Sequence, residues 1–266
     1  MDKLFGISSL PVVPIRKEPS HRSEMVSQLL FGEIFSIIYS ENDWVKISTL
    51  HDNYQGFVDL KQVFFINNQE YEQLQYGKWG ITKSPISIII KNDSQNGTII
   101  PAGSNLPNNG KISFGKTSFS YSPSIVSQND NTQSEDSFRE EIIKTALKFI
   151  NAPYLWGGRT CFGIDCSGFS QLILKINGIS ILRDASQQQT QGQHVGFIDE
   201  AKSGDLLFFG QTEELITHVG IYMGEGYIIH ASGSVRIDKV DHFGIFNTDH
   251  QSYTHSLRAI KNIISQ

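Results

Sequence analysis

The sequence predicts an α+β protein in which one or two small β-barrels precede a larger domain of helices followed by antiparallel strands. Three observations carry this. Residues 1–125 hold short alternating or β-branched runs, broken by Pro, Gly and Asn/Asp turns. A tract rich in Ser, Asn, Gln and Asp then covers 118–137 and reads as a linker. From Glu135 onward helical spacing takes over, and strand patterns return only near the end. The expected domains are 1–68, 69–128 and 129–266.

In the first, residues 34–39 are apolar and β-branched, 44–47 alternate, and 56–58 follow a polar turn. Pro14, Pro19 and Gly32 punctuate them. The second repeats the style more weakly, with strands expected at 79–82, 86–91, 97–100 and 111–119. The third opens on 140–150, where Ile142, Ile143, Ala146, Leu147 and Ile150 recur at helical period behind an acidic start. A second helix is expected over 166–176, with Phe169, Leu172, Ile173 and Ile176 on one face and Gly178 as its stop. Strands follow at 205–209, 218–223 and 227–229.

Composition narrows the function. The chain has 266 residues, 39% hydrophobic and 18% charged, with a formal net charge of −5 and no Lys/Arg cluster. Nucleic acid and anionic membrane are therefore not expected partners. No apolar run reaches the roughly 18 residues that cross a bilayer. The first residues lack a charged segment followed by a long apolar one, so a cytoplasmic protein is expected. Only Cys161 and Cys166 are present, too few for a disulfide framework or a cysteine-based zinc site. No HxxxH spacing suggests another metal site, so no cofactor or metal is expected. A monomer is the expected state.

Cys166 is the residue that chemistry singles out. The helical pattern starts at it, after Gly163-Ile164-Asp165. Unpaired N–H groups and the helix dipole at such a start favour an anion, so a lowered thiol pKa is expected there. The same N–H groups are donors for an oxyanion. His218 opens one expected strand and His230 ends the next, with the turn Gly224-Glu225-Gly226 between them. A tight hairpin makes the two histidines neighbours. A nucleophile, a base and a group orienting the base are the parts of thiol catalysis. His21, His51, His194, His242, His250 and His255 lack such pairing and are expected to be structural. Cys161 is expected to be a bystander.

In order along the chain stand YLWGG at 154–158, GIDCSG at 163–168, GDLLFF at 204–209, HVGIY at 218–222 and IHAS at 229–232. Together these closely resemble the NlpC family of bacterial cell-wall cysteine peptidases, and LRDAS at 182–186 with Gln188 or Gln189 resembles its helix-to-loop connection. The resemblance implies a papain-like C-terminal catalytic domain, with Cys166 as nucleophile, His218 as base and His230 as third member. The N-terminal half, with PIR at 14–16, SEMVSQ at 23–28, FGE at 31–33 and YQGFV at 54–58, resembles a bacterial SH3-like domain. The pairing of the two is similar to the γ-D-glutamyl-L-diamino acid endopeptidases of murein recycling, which implies a murein-peptide substrate with a free N-terminal L-Ala. For the amine of that substrate the resemblance implies Asp165, with Ser167 and Tyr154. Tyr54 and one acid of the SH3-like domain, Glu24 or Glu33, would close the cleft. Two other readings share the residues: a general wall amide hydrolase or acyltransferase on the same core, and a wall-fragment-binding module without activity. The identity of the diamino acid, lysine or diaminopimelate, is not written in the sequence.

Overall fold

A computed structural model describes residues 4–126 and 134–264. The chain divides into two units, Met1–Gln128 with Gly157–Cys161, and Asn129–Trp156 with Phe162–Gln266.

The first unit begins with strands β1 (Leu4–Ile7), β2 (Val12–Arg16), β3 (Met25–Leu30), β4 (Ile34–Glu41), β5 (Trp44–Thr49), β6 (Gln55–Asp59) and β7 (Phe64–Ile66). They form one antiparallel sheet in the order β3-β2-β6-β5-β4-β1-β7. In β5 the side chains alternate, with Val45, Ile47 and Thr49 buried and Trp44, Lys46 and Ser48 partly open, the period of a half-buried strand. The inward residues Val13, Ile15, Leu29, Phe35, Val45, Ile47 and Val58 make the core of this SH3-like fold.

Helix α1 (Asn68–Tyr76) follows, an element the strand reading did not foresee. Its signal was present: Asn67 accepts from the Glu70 N–H at 2.9 Å, and Glu70 accepts from the Asn67 N–H at 2.8 Å, a capping box. Beyond it come β8 (Trp79–Ile81), β9 (Ile86–Lys91), β10 (Gly97–Pro101), β11 (Asn105–Pro107), β12 (Lys111–Phe114) and β13 (Thr117–Ser120). The run expected as one strand at 111–119 is thus a hairpin, because Gly115 turns with φ +58°. The expected linker at 118–137 is ordered through Val126 and again from Ser134, which caps the next helix; its remainder, 127–133, lies outside the described residues. Ile89, Ile100, Leu106, Ile112, Phe114 and Phe119 share one core with Phe5, Ile7, Phe31 and Ile66 of the first sheet. Gly32 (φ +77°) sits so close to the Asn105 carbonyl that a Cβ would lie 1.9 Å from it.

A buried ion pair ties the segment Gly157–Cys161 into this unit. Arg159 Nη1 and Nη2 donate to Glu33 Oε2 and Oε1 at 2.9 and 3.0 Å, and both side chains are 1% exposed. The Arg159 N–H also donates to Gln28 Oε1 at 2.7 Å. Removing one partner of such a pair strands a buried charge. Glu33→Ala should therefore cost about 3–5 kcal/mol in the unfolding transition of this unit, read by chemical denaturation. A loss below about 1 kcal/mol, the scale of an exposed pair, would show that water reaches Arg159.

The second unit begins with α2 (Glu135–Leu147), which starts five residues earlier than its apolar spacing suggests because Ser134 caps it. The chain then makes two short strands, β14 (Arg159–Thr160), which belongs to the first unit, and β15 (Gly163–Ile164). Helix α3 (Cys166–Ile176) is buried along its whole length, and α4 (Ala185–Gln188) is a single turn. The strands are β16 (Gln193–His194), β17 (Leu206–Gly210), β18 (Ile216–Gly224), β19 (Tyr227–Ser232), β20 (Ser234–Val240), β21 (Gly244–Asn247) and β22 (Ser252–Asn262). Among the described residues they run β16-β22-β17-β18-β19-β20-β21, and β22 also pairs with β21. The long β22 meets β17 at one end and β21 at the other, so the sheet closes on itself. Helix α3 packs on β18 and β19.

Candidate active site

Asp165 starts α3. Its Oδ1 accepts from the Gly168 N–H at 2.6 Å, the N-cap bond that gives the helix a sharp beginning. Leu155 N–H donates to Ile164 O, and Ile164 N–H to Pro153 O, so the approach to the helix is pinned. Cys166 is the first helical residue and only 6% exposed.

The expected lowering of its thiol pKa does not hold. Burial first, and Asp165 second, push the thiol up to about 11, against backbone N–H groups of Val219 and Ser167 and the Arg183 charge. Desolvation of a thiolate outweighs the helix start here. His218 moves the other way: burial, then His230 and His255, hold its imidazolium well below the ordinary range. The resting pair is a neutral thiol and a neutral imidazole. Iodoacetamide should accordingly alkylate Cys166 slowly at pH 7 and faster as pH climbs toward 11, because thiolate appears only as pH approaches the raised pKa. Peptide mapping separates Cys166 from Cys161. Rapid labelling of Cys166 below pH 7 would instead demonstrate a resting thiolate.

Arg183 is the residue that the reading of individual side chains passed over. It is 1% exposed, and its Nη1 and Nη2 donate to Asp165 Oδ1 and Oδ2 at 3.0 and 2.7 Å. Nη1 also donates to Ser167 Oγ at 2.8 Å. Asp165 and Ser167 are thus brought together beside Cys166, with the Asp165 charge compensated by Arg183. Gln188 Nε2 donates to Ser167 O at 3.0 Å. Tyr154 lies on the same side: burial, then Cys166 and Asp165, push its phenol up to about 12. Its N–H donates to Gly233 O.

His218 and His230 meet as the hairpin suggested, with Nε2 of His218 and Nδ1 of His230 2.8 Å apart. They are 6% and 1% exposed. Gly220 makes the meeting possible, since a Cβ there would lie 2.8 Å from His230 Cβ. Beyond His230 stands Asp238, with Oδ2 3.0 Å from His230 Nε2. Arg236 Nη2 donates to Asp238 Oδ1 and to Asp249 Oδ2, both at 2.8 Å. His255, expected to be structural, lies with its ring centroid 4.3 Å from that of His218. Among the described residues no group of three or more His, Cys, Asp and Glu is arranged to hold a metal ion.

The remaining expected residues belong to the first unit. Glu24 is exposed and 3.4 Å from Lys17, and Tyr54 follows β5, with its N–H on Thr49 Oγ1 at 2.8 Å. Glu33, the alternative to Glu24, has both carboxylate oxygens on Arg159.

Comparison with known proteins gives the lineage. Residues 151–255 match the NlpC/P60 family and residues 15–63 the bacterial dipeptidyl-peptidase Sh3 domain. The chain is 30% identical over 247 residues to dipeptidyl-peptidase 6 of Lysinibacillus sphaericus, covering 84% of this chain and 87% of that protein. It is 30% identical over 214 residues to the gamma-D-glutamyl-L-lysine dipeptidyl-peptidase of Bacillus subtilis, covering 77% and 71% respectively. A crystal structure of an NlpC/P60 family protein from Bacillus cereus superposes with a TM-score of 0.80 at 21% identity, over 98% of this chain and 99% of that one, which shows a common fold. Carrying both matched domains and spanning most of two such relatives, the chain belongs to the NlpC/P60 family and is a cysteine peptidase.

Proposed function

We propose that the enzyme removes L-Ala-γ-D-Glu from the N-terminus of murein peptides by cutting the bond between γ-D-Glu and the following diamino acid. The observation that carries this reading is the 30% identity, over more than two thirds of their lengths, to relatives named dipeptidyl-peptidases, one of them a gamma-D-glutamyl-L-lysine dipeptidyl-peptidase by name.

In this reading the Cys166 sulfur attacks the γ-carbonyl of D-Glu while its proton passes to His218. Starting from a neutral pair, the proton moves as the S–C bond forms. N–H groups at the start of α3 face the oxyanion. The imidazolium then gives the proton to the departing amine of the diamino acid. Water, deprotonated by His218, attacks the thioester, and the dipeptide leaves as its carboxylate. A free L-Ala amine is a cation and calls for a carboxylate. Asp165, beside Cys166, is the proposed partner, with Ser167 and Tyr154 supplying hydroxyls. A bond cut only beside a free N-terminus belongs to peptides already released from the glycan, so the proposed setting is murein recycling in the cytoplasm.

Mass spectrometry after incubation with L-Ala-γ-D-Glu-L-Lys and with the diaminopimelate analogue tests the reading and names the preferred third residue. Release of L-Ala-D-Glu from either supports it. Cleavage of intact wall with both tripeptides untouched would replace it with a general wall hydrolase.

A further inference from the structure

We infer that Asp238 is a positioning residue of the reaction, which through His230 keeps Nδ1 of His218, the nitrogen not engaged with His230, unprotonated and ready for the Cys166 proton. The inference rests on the reading of His218 as the base.

Asp238 is 3% exposed on β20, and its side chain lies between His230 of β19 and Arg236 of its own strand. The groups that bear on it are these two, Asp249 through Arg236, and His255 of β22. Burial works against its ionisation, but His230 and Arg236 outweigh burial and hold the carboxyl below the usual range. A carboxylate only accepts. His230 Nε2, 3.0 Å away, must therefore carry the hydrogen. In a neutral ring the lone pair is then on Nδ1, which accepts from His218 Nε2 at 2.8 Å. With Nε2 of His218 protonated, its Nδ1 is the bare nitrogen and the one left for the Cys166 proton. Each ring thus hands the orientation to the next, and the direction is set at Asp238. When His218 becomes an imidazolium, its charge is shared along the same line toward the buried carboxylate.

The pattern of residues 234–240 hid this. Val235 and Ile237 invite an inward Ile237 and an outward Asp238, whereas Ile237 is 39% exposed and Asp238 is buried. An unpaired carboxylate would not hold that position. His230 and Arg236 make it tenable.

Asp238→Leu supplies the test, because it removes both oxygens at similar volume. Arg236, whose Nη2 and Nε lie 2.8 Å from Oδ1 and Oδ2, keeps Asp249 as a partner. His230 Nε2 is then no longer obliged to carry the hydrogen, and in part of the molecules His218 Nδ1 is protonated. A wholly wrong tautomer costs roughly 10²–10⁴-fold in kcat, so a loss of at least about tenfold is expected here. KM should stay within about threefold, since substrate contacts are unaltered. Asp238→Glu, which keeps a carboxylate, should recover most of the kcat lost, whereas a purely structural role would leave it no better than Asp238→Leu.

Long-range ¹H–¹⁵N spectra of the histidine rings read the tautomers without turnover. In the native enzyme His230 and His218 should both carry hydrogen on Nε2 alone, and in Asp238→Leu a share of it should move to Nδ1 on both rings. A native His230 with hydrogen on Nδ1, or tautomers unchanged by Asp238→Leu, would overturn the inference even if the variant unfolds too easily for kinetics. The base assignment fails separately, if His218→Ala retains turnover.

Discussion

Replacing Cys166 by alanine should abolish hydrolysis and leave the fold standing. The sulfur is the only atom removed, and its loss at a buried position leaves a cavity of one heavy atom, worth on the order of 1 kcal/mol. The helix start does not depend on it, because the cap is made by Asp165 on Gly168 N–H. Turnover depends on it entirely in the proposed mechanism, since no other side chain at the site can form the thioester. Removing the nucleophile of a catalytic triad lowers kcat by roughly 10⁴–10⁶-fold. Cys166→Ala and Cys166→Ser are measured beside the native enzyme with the same tripeptide, and thermal unfolding is read in parallel. Activity above about a tenth of native, with native unfolding, would remove Cys166 from the nucleophile's role.

Acetylating the N-terminal L-Ala of the substrate should abolish cleavage almost as completely. The acetyl group removes the positive charge and with it the charge-assisted hydrogen bonds of the ammonium, and it adds bulk where the amine docks. The comparison is between L-Ala-γ-D-Glu-diaminopimelate and its N-acetyl form at equal concentration, with kcat/KM as the readout. Glu24→Gln then asks which carboxylate is responsible. It leaves the interior untouched, because Glu24 is an exposed residue. Asp165→Asn is a poorer probe, since that carboxylate also caps α3 and pairs with Arg183. Equal rates for the free and acetylated peptides would mean that the enzyme does not read an N-terminus, and the dipeptidyl-peptidase reading would give way to an endopeptidase one.

Local signals carried much of what the sequence disclosed. The alternation of 44–49, the helical spacing of 142–150 and the helix opening at Cys166 each reflect contacts within a turn or two, or the two faces of one strand. The capping box of Asn67 and Glu70 was equally local and could have announced α1. The pairing of His218 with His230 was legible because one short turn joins their strands, and so little chain separates the two residues that the hairpin alone sets their proximity. The ordered motifs of the catalytic segment carried the family.

What the sequence could not disclose depends on partners far along the chain. β22 closes the sheet by pairing with both β17 and β21, and no local pattern states where a strand finds its neighbours. That closure is what lays His255 against His218. Asp238, Arg183, Arg159 and Glu33 are charged residues at positions a pattern assigns to the surface, yet each is buried. Burying a charge is tolerable only when another is already placed to meet it. The raised thiol of Cys166 has the same origin: the helix start that favours an anion is local, whereas the burial that opposes it comes from β18 and the strands beside it. The sequence by itself determined most of the local elements and singled out Cys166, His218 and His230 as candidates; the tertiary structure alone decided their protonation, because desolvation and charge pairing are properties of surroundings assembled from distant parts of the chain.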